Sequence, residues 1–176
     1  RFTMTATATH DTKLGEDTRA RIAAISELTG EWVRGVAAWS RIARAEKSLV
    51  YGERAPDRND EYRLYQVIAG VWPAEHADAP VPSRAPDALV GRLQQYMDEA
   101  AREAKLHTSW INPNDAYDRA LRDFVDGLLR GRAAPAFLAA FVPFARRLAR
   151  AGAGNSLSQV LLKVAAPGVP DFYQGT

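Results

Sequence analysis

Apolar side chains recur along most of this chain at three- and four-residue spacing, the period at which one face of an α-helix lines up. The first run follows Glu16-Asp17, whose charges favour a helical N-terminus, and carries Ile22, Ile25 and Leu28 towards a break expected at Gly30. The next puts Trp32, Val36, Trp39 and Ala43 on one stripe, with Val33 and Ala37 beside it, and is expected to end near Tyr51-Gly52. Asp57-Arg58-Asn59-Asp60-Glu61 reads as a capped, acidic start leading through Tyr62, Tyr65 and Ile68 to Trp72, where Pro73 ends the helix. Pro73 to Pro86, with Pro80 and Pro82, is the one clear loop. From Asp87, the positions Leu89, Leu93, Tyr96, Met97, Ala100 and Ala104 keep a helical period over several turns.

Asn112-Pro113 predicts another start, with Asn as cap and Pro at a first helical position where its missing donor is not needed; Ala120, Leu121, Phe124, Val125 and Leu128 follow up to Gly131. Phe137, Phe141, Phe144 and Leu148 form the next stripe, which Pro143 should kink or split. A last helix is expected to begin at Asn155-Ser156, carry Leu157, Val160, Leu161 and Val164, and stop before Pro167-Gly168.

Only the ends look extended. A Thr/Ala run delivers Thr9-His10-Asp11-Thr12-Lys13, and Val169-Pro170-Asp171-Phe172-Tyr173 is a short strand pattern bounded by Pro and Gly. Two such segments can be neighbouring parallel strands whose crossover is an oversized helical insert, or the frayed ends of a self-contained bundle. Composition does not choose between them. The carboxylate of Asp11 stands where a strand would end, the position from which parallel-strand folds present chemistry.

The remaining composition mostly excludes. At 176 residues and 47% hydrophobic content the chain can bury a real core as one domain with appendages. The net charge of +2 is nearly balanced, and arginines such as Arg41, Arg44, Arg92, Arg146, Arg147 and Arg150 read as solvated helix faces rather than a nucleic-acid footprint. The absence of cysteine excludes disulfides and thiolate metal sites and fits a cytosolic protein, and three dispersed histidines make no ligand set. His76 and His107 are expected at the surface. The apolar run from Ala133 to Ala145 is too short for a bilayer and is closed by Arg146-Arg147. An initial Arg with no signal pattern is expected of a piece that begins inside a longer protein. Asp60 and Glu61, adjacent on a helix, point apart and are not read as an acid/base pair.

Several ordered motifs carry a resemblance. They are Thr9-His10-Asp11-Thr12-Lys13 with Glu16-Asp17-Thr18-Arg19-Ala20-Arg21, Arg58-Asn59-Asp60-Glu61-Tyr62, Arg102-Glu103-Ala104-Lys105 with Thr108-Ser109-Trp110 and Asn112-Pro113-Asn114, Asn155-Ser156-Leu157-Ser158-Gln159, and Gly168-Val169-Pro170-Asp171-Phe172-Tyr173-Gln174-Gly175. Together they resemble the maltooligosyltrehalose synthases of the α-amylase clan, glycoside hydrolase family 13, over essentially the whole chain. The resemblance implies a mainly α chain in which a helical insertion domain, residues 29–153, is flanked by two short strands of a (β/α)8 barrel. Residues 1–28 would hold the seventh strand, ending at His10-Asp11, and the start of the following helix. Residues 154–176 would hold a helix and the eighth strand, near Val169 to Tyr173.

For activity the resemblance implies an isomerase that turns the reducing-end α-1,4 linkage of a maltooligosaccharide into an α,α-1,1 linkage by intramolecular transfer. Asp11 matches the clan's third carboxylate, a transition-state stabiliser, and His10 its companion at the same sugar. Lys13 and Glu16 either line the neighbouring acceptor subsite or serve locally, Glu16 favouring the helix start and Lys13 facing solvent; Arg19 and Arg21 would hold the loop. Tyr173 either approaches the site or packs, and Trp110 either stacks on a sugar or anchors the core, the second being the ordinary role in each case. Leu14 departs from the family, which often has a basic residue there. The implied partners are the oligosaccharide and the remainder of the barrel, with no cofactor, metal, nucleic acid or membrane, in the cytoplasm. The nucleophile and acid/base would come from earlier strands, so this segment alone is expected to be inactive. The alternatives are a segment of an α-glucan hydrolase of the same clan and a non-enzymatic helical interaction module.

Overall fold

A computed structural model describes residues 3–73 and 79–173. In chain order it contains β1 (Met4–Ala6), α1 (Glu16–Ala23), α2 (Thr29–Ala43), β2 (Ser48–Val50), β3 (Glu53–Ala55), α3 (Arg58–Val71), α4 (Asp87–Ala104), α5 (Asp115–Leu129), α6 (Ala134–Ala165) and β4 (Val169–Asp171). The chain is mainly helical, as the periodicity predicts. His76 and the terminal Gln174-Gly175-Thr176 lie outside the described residues.

The helical stripes meet around Trp39 of α2. Its indole has edge-on contact with Phe141 at 5.1 Å, Trp32 at 5.5 Å and Tyr65 at 5.7 Å between ring centres, the arrangement that aromatic quadrupoles favour. Leu89, Val90, Leu93 and Met97 of α4 and Leu121, Phe124 and Leu128 of α5 are buried in the same cluster. Two glycines let α1 lie close between α3 and α6. A Cβ on Gly152 would stand 2.8 Å from the Cα of Arg21, and one on Gly70 would stand 2.8 Å from the Cγ2 of Thr18. Arg21 then donates to the carbonyls of Gly70 at 3.3 Å and Trp72 at 2.9 Å, satisfying the C-terminal turn of α3.

Buried charge ties the middle of the chain together. Lys47 stands 2.5 Å from Glu61 and donates to the Pro56 carbonyl at 2.9 Å, while the Tyr65 hydroxyl donates to the other Glu61 oxygen at 2.7 Å. Asp60 instead accepts from the Tyr117 hydroxyl at 2.6 Å, so the two adjacent carboxylates do diverge. Asp57 caps α3 by accepting from the Asp60 amide at 2.8 Å, as its position before the acidic turn predicts.

Several sequence expectations are corrected. The break between α1 and α2 is a 3-10 stretch over Ala24–Leu28, and Gly30 lies inside the first turn of α2. That helix ends at Ala43, and Tyr51-Gly52 is the loop of an antiparallel hairpin of β2 on β3. Both loop residues have positive φ, 52° and 87°, matching the two-residue turn whose twist suits paired strands. The cap of α5 is Asn114, whose side chain accepts from the Tyr117 amide at 3.2 Å; Asn112 closes a turn with Ser109. No separate helix starts at Asn155, because α6 runs unbroken through Pro143 and Gly154. Proline's fixed φ is helical, and Phe141, Val142, Phe144 and Ala145 around it are all buried, so packing holds the helix together. Trp110 is no core anchor. It is 58% exposed, with the Arg102 guanidinium over its ring 5.0 Å from the centre and held by Asp118 at 2.8 Å.

The two ends of the chain meet. β1 and β4 pair in parallel, Met4 opposite Val169, Thr5 opposite Pro170 and Ala6 opposite Asp171. Both strands are shorter than expected. β1 stops at Ala6, before His10-Asp11, since the Thr12 amide turns back to the Thr9 carbonyl at 3.1 Å and closes a turn. β4 stops at Asp171 because β1 offers it only these partners, leaving Tyr173 beyond the strand.

Candidate functional site

The segment that leaves β1, Thr7 to Gly15, is folded by its own threonines. Thr12 donates its hydroxyl to the Thr9 carbonyl at 2.9 Å, and the Leu14 amide reaches the Thr12 carbonyl at 2.6 Å. This turn leaves Lys13 with a φ of 60°, a left-handed conformation that a residue with a Cβ adopts only when its surroundings hold it. The holding contacts are visible. Lys13 reaches Glu103 at 3.3 Å and Glu99 at 3.9 Å, both on α4, and the Glu103 contact raises the Lys13 pKa.

At the crest of the turn His10 and Asp11 face outward, with side chains 77% and 81% exposed and 3.2 Å between Nε2 and a carboxylate oxygen. Among the described residues neither side chain has a hydrogen bond or ion pair to the helical body. They stand just past the carboxyl end of a parallel strand, as a group aimed at a ligand does, though further along the chain than the strand end itself.

Glu16 is placed differently. It sits in the first turn of α1, where its oxygen accepts from Lys163 of α6 at 2.7 Å and from the Thr7 hydroxyl. Those two hydrogen bonds, Lys163 first, hold its pKa below the ordinary carboxylate value against the opposing effect of burial. Lys163 is itself buried, donates to Thr7 at 3.0 Å and lies 4.2 Å from the Phe172 ring centre just past β4. The trio thus joins β1, α1, α6 and the end of β4. Sequence reasoning did not single out Lys163. Its signal was a lone charge in the apolar run Val160-Leu161-Leu162-Lys163-Val164-Ala165.

Arg19 does hold the loop, donating to the Thr7 carbonyl at 2.9 Å, whereas Arg21 serves α3. Tyr173 is 37% exposed, two residues beyond β4. His107, at the surface as expected, stacks on Tyr117 at 4.5 Å and contacts Asp57 at 3.1 Å, well apart in sequence from the strand ends. Among the described residues no group of His, Asp and Glu side chains gathers as a metal site, and no single helix is long and apolar enough to cross a membrane.

This helical body hung between paired parallel strands is similar in sequence and fold to a segment of larger enzymes. The particular enzymes it matches are maltooligosyl trehalose synthases. A putative one from Mycobacterium tuberculosis is 36% identical over 98% of this chain and 20% of its own length. The crystal structure of a hypothetical one from Sulfolobus tokodaii is 38% identical with a TM-score of 0.79, covering 96% of this chain and 21% of that one. The synthase of Arthrobacter ramosus is 33% identical with a TM-score of 0.73, covering 99% of this chain and 19% of its own. The chain therefore spans about a fifth of the length of the relatives it matches. No protein-family model matches it.

Proposed function

We propose that this chain is a segment of an isomerase that converts the reducing-end α-1,4 linkage of a maltooligosaccharide into an α,α-1,1 linkage. The observation that carries the reading is the parallel pairing of Met4–Ala6 with Val169–Asp171. A parallel pair needs a crossover between its strands, and here nearly the whole chain is that crossover. A self-contained helical module gives its two ends no reason to pair in this way. Parallel sheets also occur with both faces covered, and here Met4 and Val169 in the strands and Leu157, Leu161, Leu162 and Val164 of α6 are large apolar side chains left exposed. The remainder of a (β/α)8 barrel suits such uncovered apolar surface, β1 and β4 being its seventh and eighth strands. In this reading residues 1–28 and 154–176 belong to the barrel and 29–153 to the insertion, although α6 runs through the second boundary without interruption. The same reading makes it a cytoplasmic, cofactor-free enzyme of glycoside hydrolase family 13.

Chemically, Asp11 serves as the third carboxylate. As the sugar ring becomes oxocarbenium-like its hydroxyls become better donors, so a carboxylate held against them binds the transition state more strongly than the ground state. His10 is its companion at the same sugar, with Lys13 lining the neighbouring acceptor subsite and Tyr173 approaching the site. Glu16 contributes by fixing the root of the loop through Lys163. The released glucose must be retained while water is excluded, a wall or lid role that suits the helical insertion. In an enzyme of the relatives' full length carrying this segment, Asp11→Asn is expected to lower kcat by roughly two or more powers of ten while leaving oligosaccharide binding nearly intact. Equal turnover in mutant and parent overturns the assignment. Product that is free glucose rather than trehalose-ended oligosaccharide moves the segment to a hydrolase of the same clan.

A further inference from the structure

A cavity of about 690 Å³ opens between α2, the β2–β3 hairpin and the first turn of α3. It shares no lining residue with the His10 to Glu16 loop or with the exposed apolar side chains of α6. Its floor is already satisfied internally, since Glu61 is neutralised by Lys47 at 2.5 Å and accepts from Tyr65 at 2.7 Å. One wall is apolar, made by Val33, Val36 and Ala37. Tyr62 completes that wall, its hydroxyl fixed by the Trp32 indole N–H at 2.9 Å.

Around the mouth stand Arg44, Arg54 and Arg58, which form no ion pair among the described residues; the one contact of Arg54 is a long one, 3.5 Å, to the Arg44 carbonyl. Asp57, the cap before α3, is engaged by the Asp60 amide and His107. The lining thus combines four cations with a single carboxylate that is already paired.

We infer that this cavity binds a small phosphorylated ligand with a ring-sized body. Planar guanidinium forks match phosphate oxygens in pairs, which makes arginine the side chain suited to that group. The volume lies within the range of about 300–1,000 Å³ usual for small-molecule sites, and an apolar wall with one fixed tyrosine suits a ring. A neutral sugar is the poorer occupant, because it leaves Arg44, Arg54 and Arg58 without an anion while the one carboxylate among the described lining residues is spent on Lys47 and Tyr65. An acidic peptide would engage the arginines and leave the wall between Val33 and Tyr62 unused.

The test is a titration of the 176-residue chain with glucose 6-phosphate, inorganic phosphate and glucose, followed by calorimetry and by the emission of Trp32 beside Tyr62. Glucose 6-phosphate should bind saturably below millimolar concentration and more weakly as salt rises, inorganic phosphate should compete, and glucose should not bind. The double variant Arg44→Ala/Arg58→Ala should weaken binding at least about tenfold with an unchanged urea midpoint, since both side chains are exposed. Arg58→Lys should weaken it too, because a point charge lacks the fork. The proposal is overturned by no phosphate-dependent binding at millimolar concentration, by equal affinity for glucose, by undiminished binding in a folded double variant, or by binding of an acidic peptide alone.

Discussion

Lys163→Met tests whether the buried trio at the strand ends is what fastens the candidate loop. The substitution keeps the length and apolar stem of the side chain and removes the ammonium. Glu16 then keeps the Thr7 hydroxyl as its side-chain hydrogen bond among the described residues and the more distant charge of Arg19, and the Phe172 ring loses a cation 4.2 Å away. Breaking a buried ion pair from one side costs about 3–5 kcal/mol, since a charge is left uncompensated. The Lys163 side chain is 2% exposed but that of Glu16 is 16% exposed, so water recovers part of the loss and about 2–4 kcal/mol is expected. Urea unfolding followed by tryptophan fluorescence measures it. Adding Glu16→Leu to Lys163→Met should recover much of the loss, as replacing both partners by apolar groups removes the stranded carboxylate. The parent carries a matching pH signature. Because the folded pKa of Glu16 lies below its ordinary value of 4.5, the carboxylate contributes stability fully above that value, and the contribution is lost as pH falls through the lower folded pKa. Lys163→Met should flatten that acid limb. A change within about 0.5 kcal/mol of the parent, with the limb intact, refutes the reasoning.

Gly152→Ala should destabilise by about 1–3 kcal/mol, read as a lower urea midpoint, because the new Cβ meets the backbone of Arg21 and α1 must move off α6. Tyr117→Phe removes the donor to a buried Asp60 and the acceptor of the Asp57 amide, and should cost about 1.5–3 kcal/mol by the same measurement. Trp110→Ala should cost under about 1 kcal/mol, since the ring is exposed and only stacks on Arg102; a larger loss of midpoint contradicts that placement.

What the sequence made legible follows from how local each signal is. The stripes of α3, α4 and α5 were readable because burial on one face imposes a period on many residues at once, and Asp57 was readable as a cap because its partner lies three residues on. The hairpin at Tyr51-Gly52 is not legible because Ser48–Val50 and Glu53–Ala55 are too short to show an alternating pattern and Tyr51 stands where such a turn usually has Asn, Asp or Gly; only Gly52 carries a turn signal. Pro143 and Asn155 signal breaks locally, yet α6 continues through both where the aromatic core and the close crossing at Gly152 pack against it. At the candidate site His10 and Asp11 are proposed from their position after the strand. The Lys163 contact was missed because its partners, Thr7 and Glu16, stand at the other end of the chain, and only the strand pairing brings them together.

That asymmetry bears on how the loop is held. On the strand side, a buried trio and the Arg19 bond to the Thr7 carbonyl fix the root of the turn. On the helical side, Leu14 packs against the core and Lys13 meets α4 through partly exposed contacts with Glu103 and Glu99, which salt screens. Of these links the charged one is the easiest to weaken without touching the root that Lys163 secures. If α4 forms part of a wall for a retained sugar, the Lys13 contacts set how that wall meets the loop carrying Asp11. Replacing Glu99 and Glu103 by Gln in a full-length enzyme should then alter the partition between transfer and hydrolysis and leave the loss caused by Asp11→Asn unchanged. An equal fall in both product channels would mean that α4 positions the carboxylate itself.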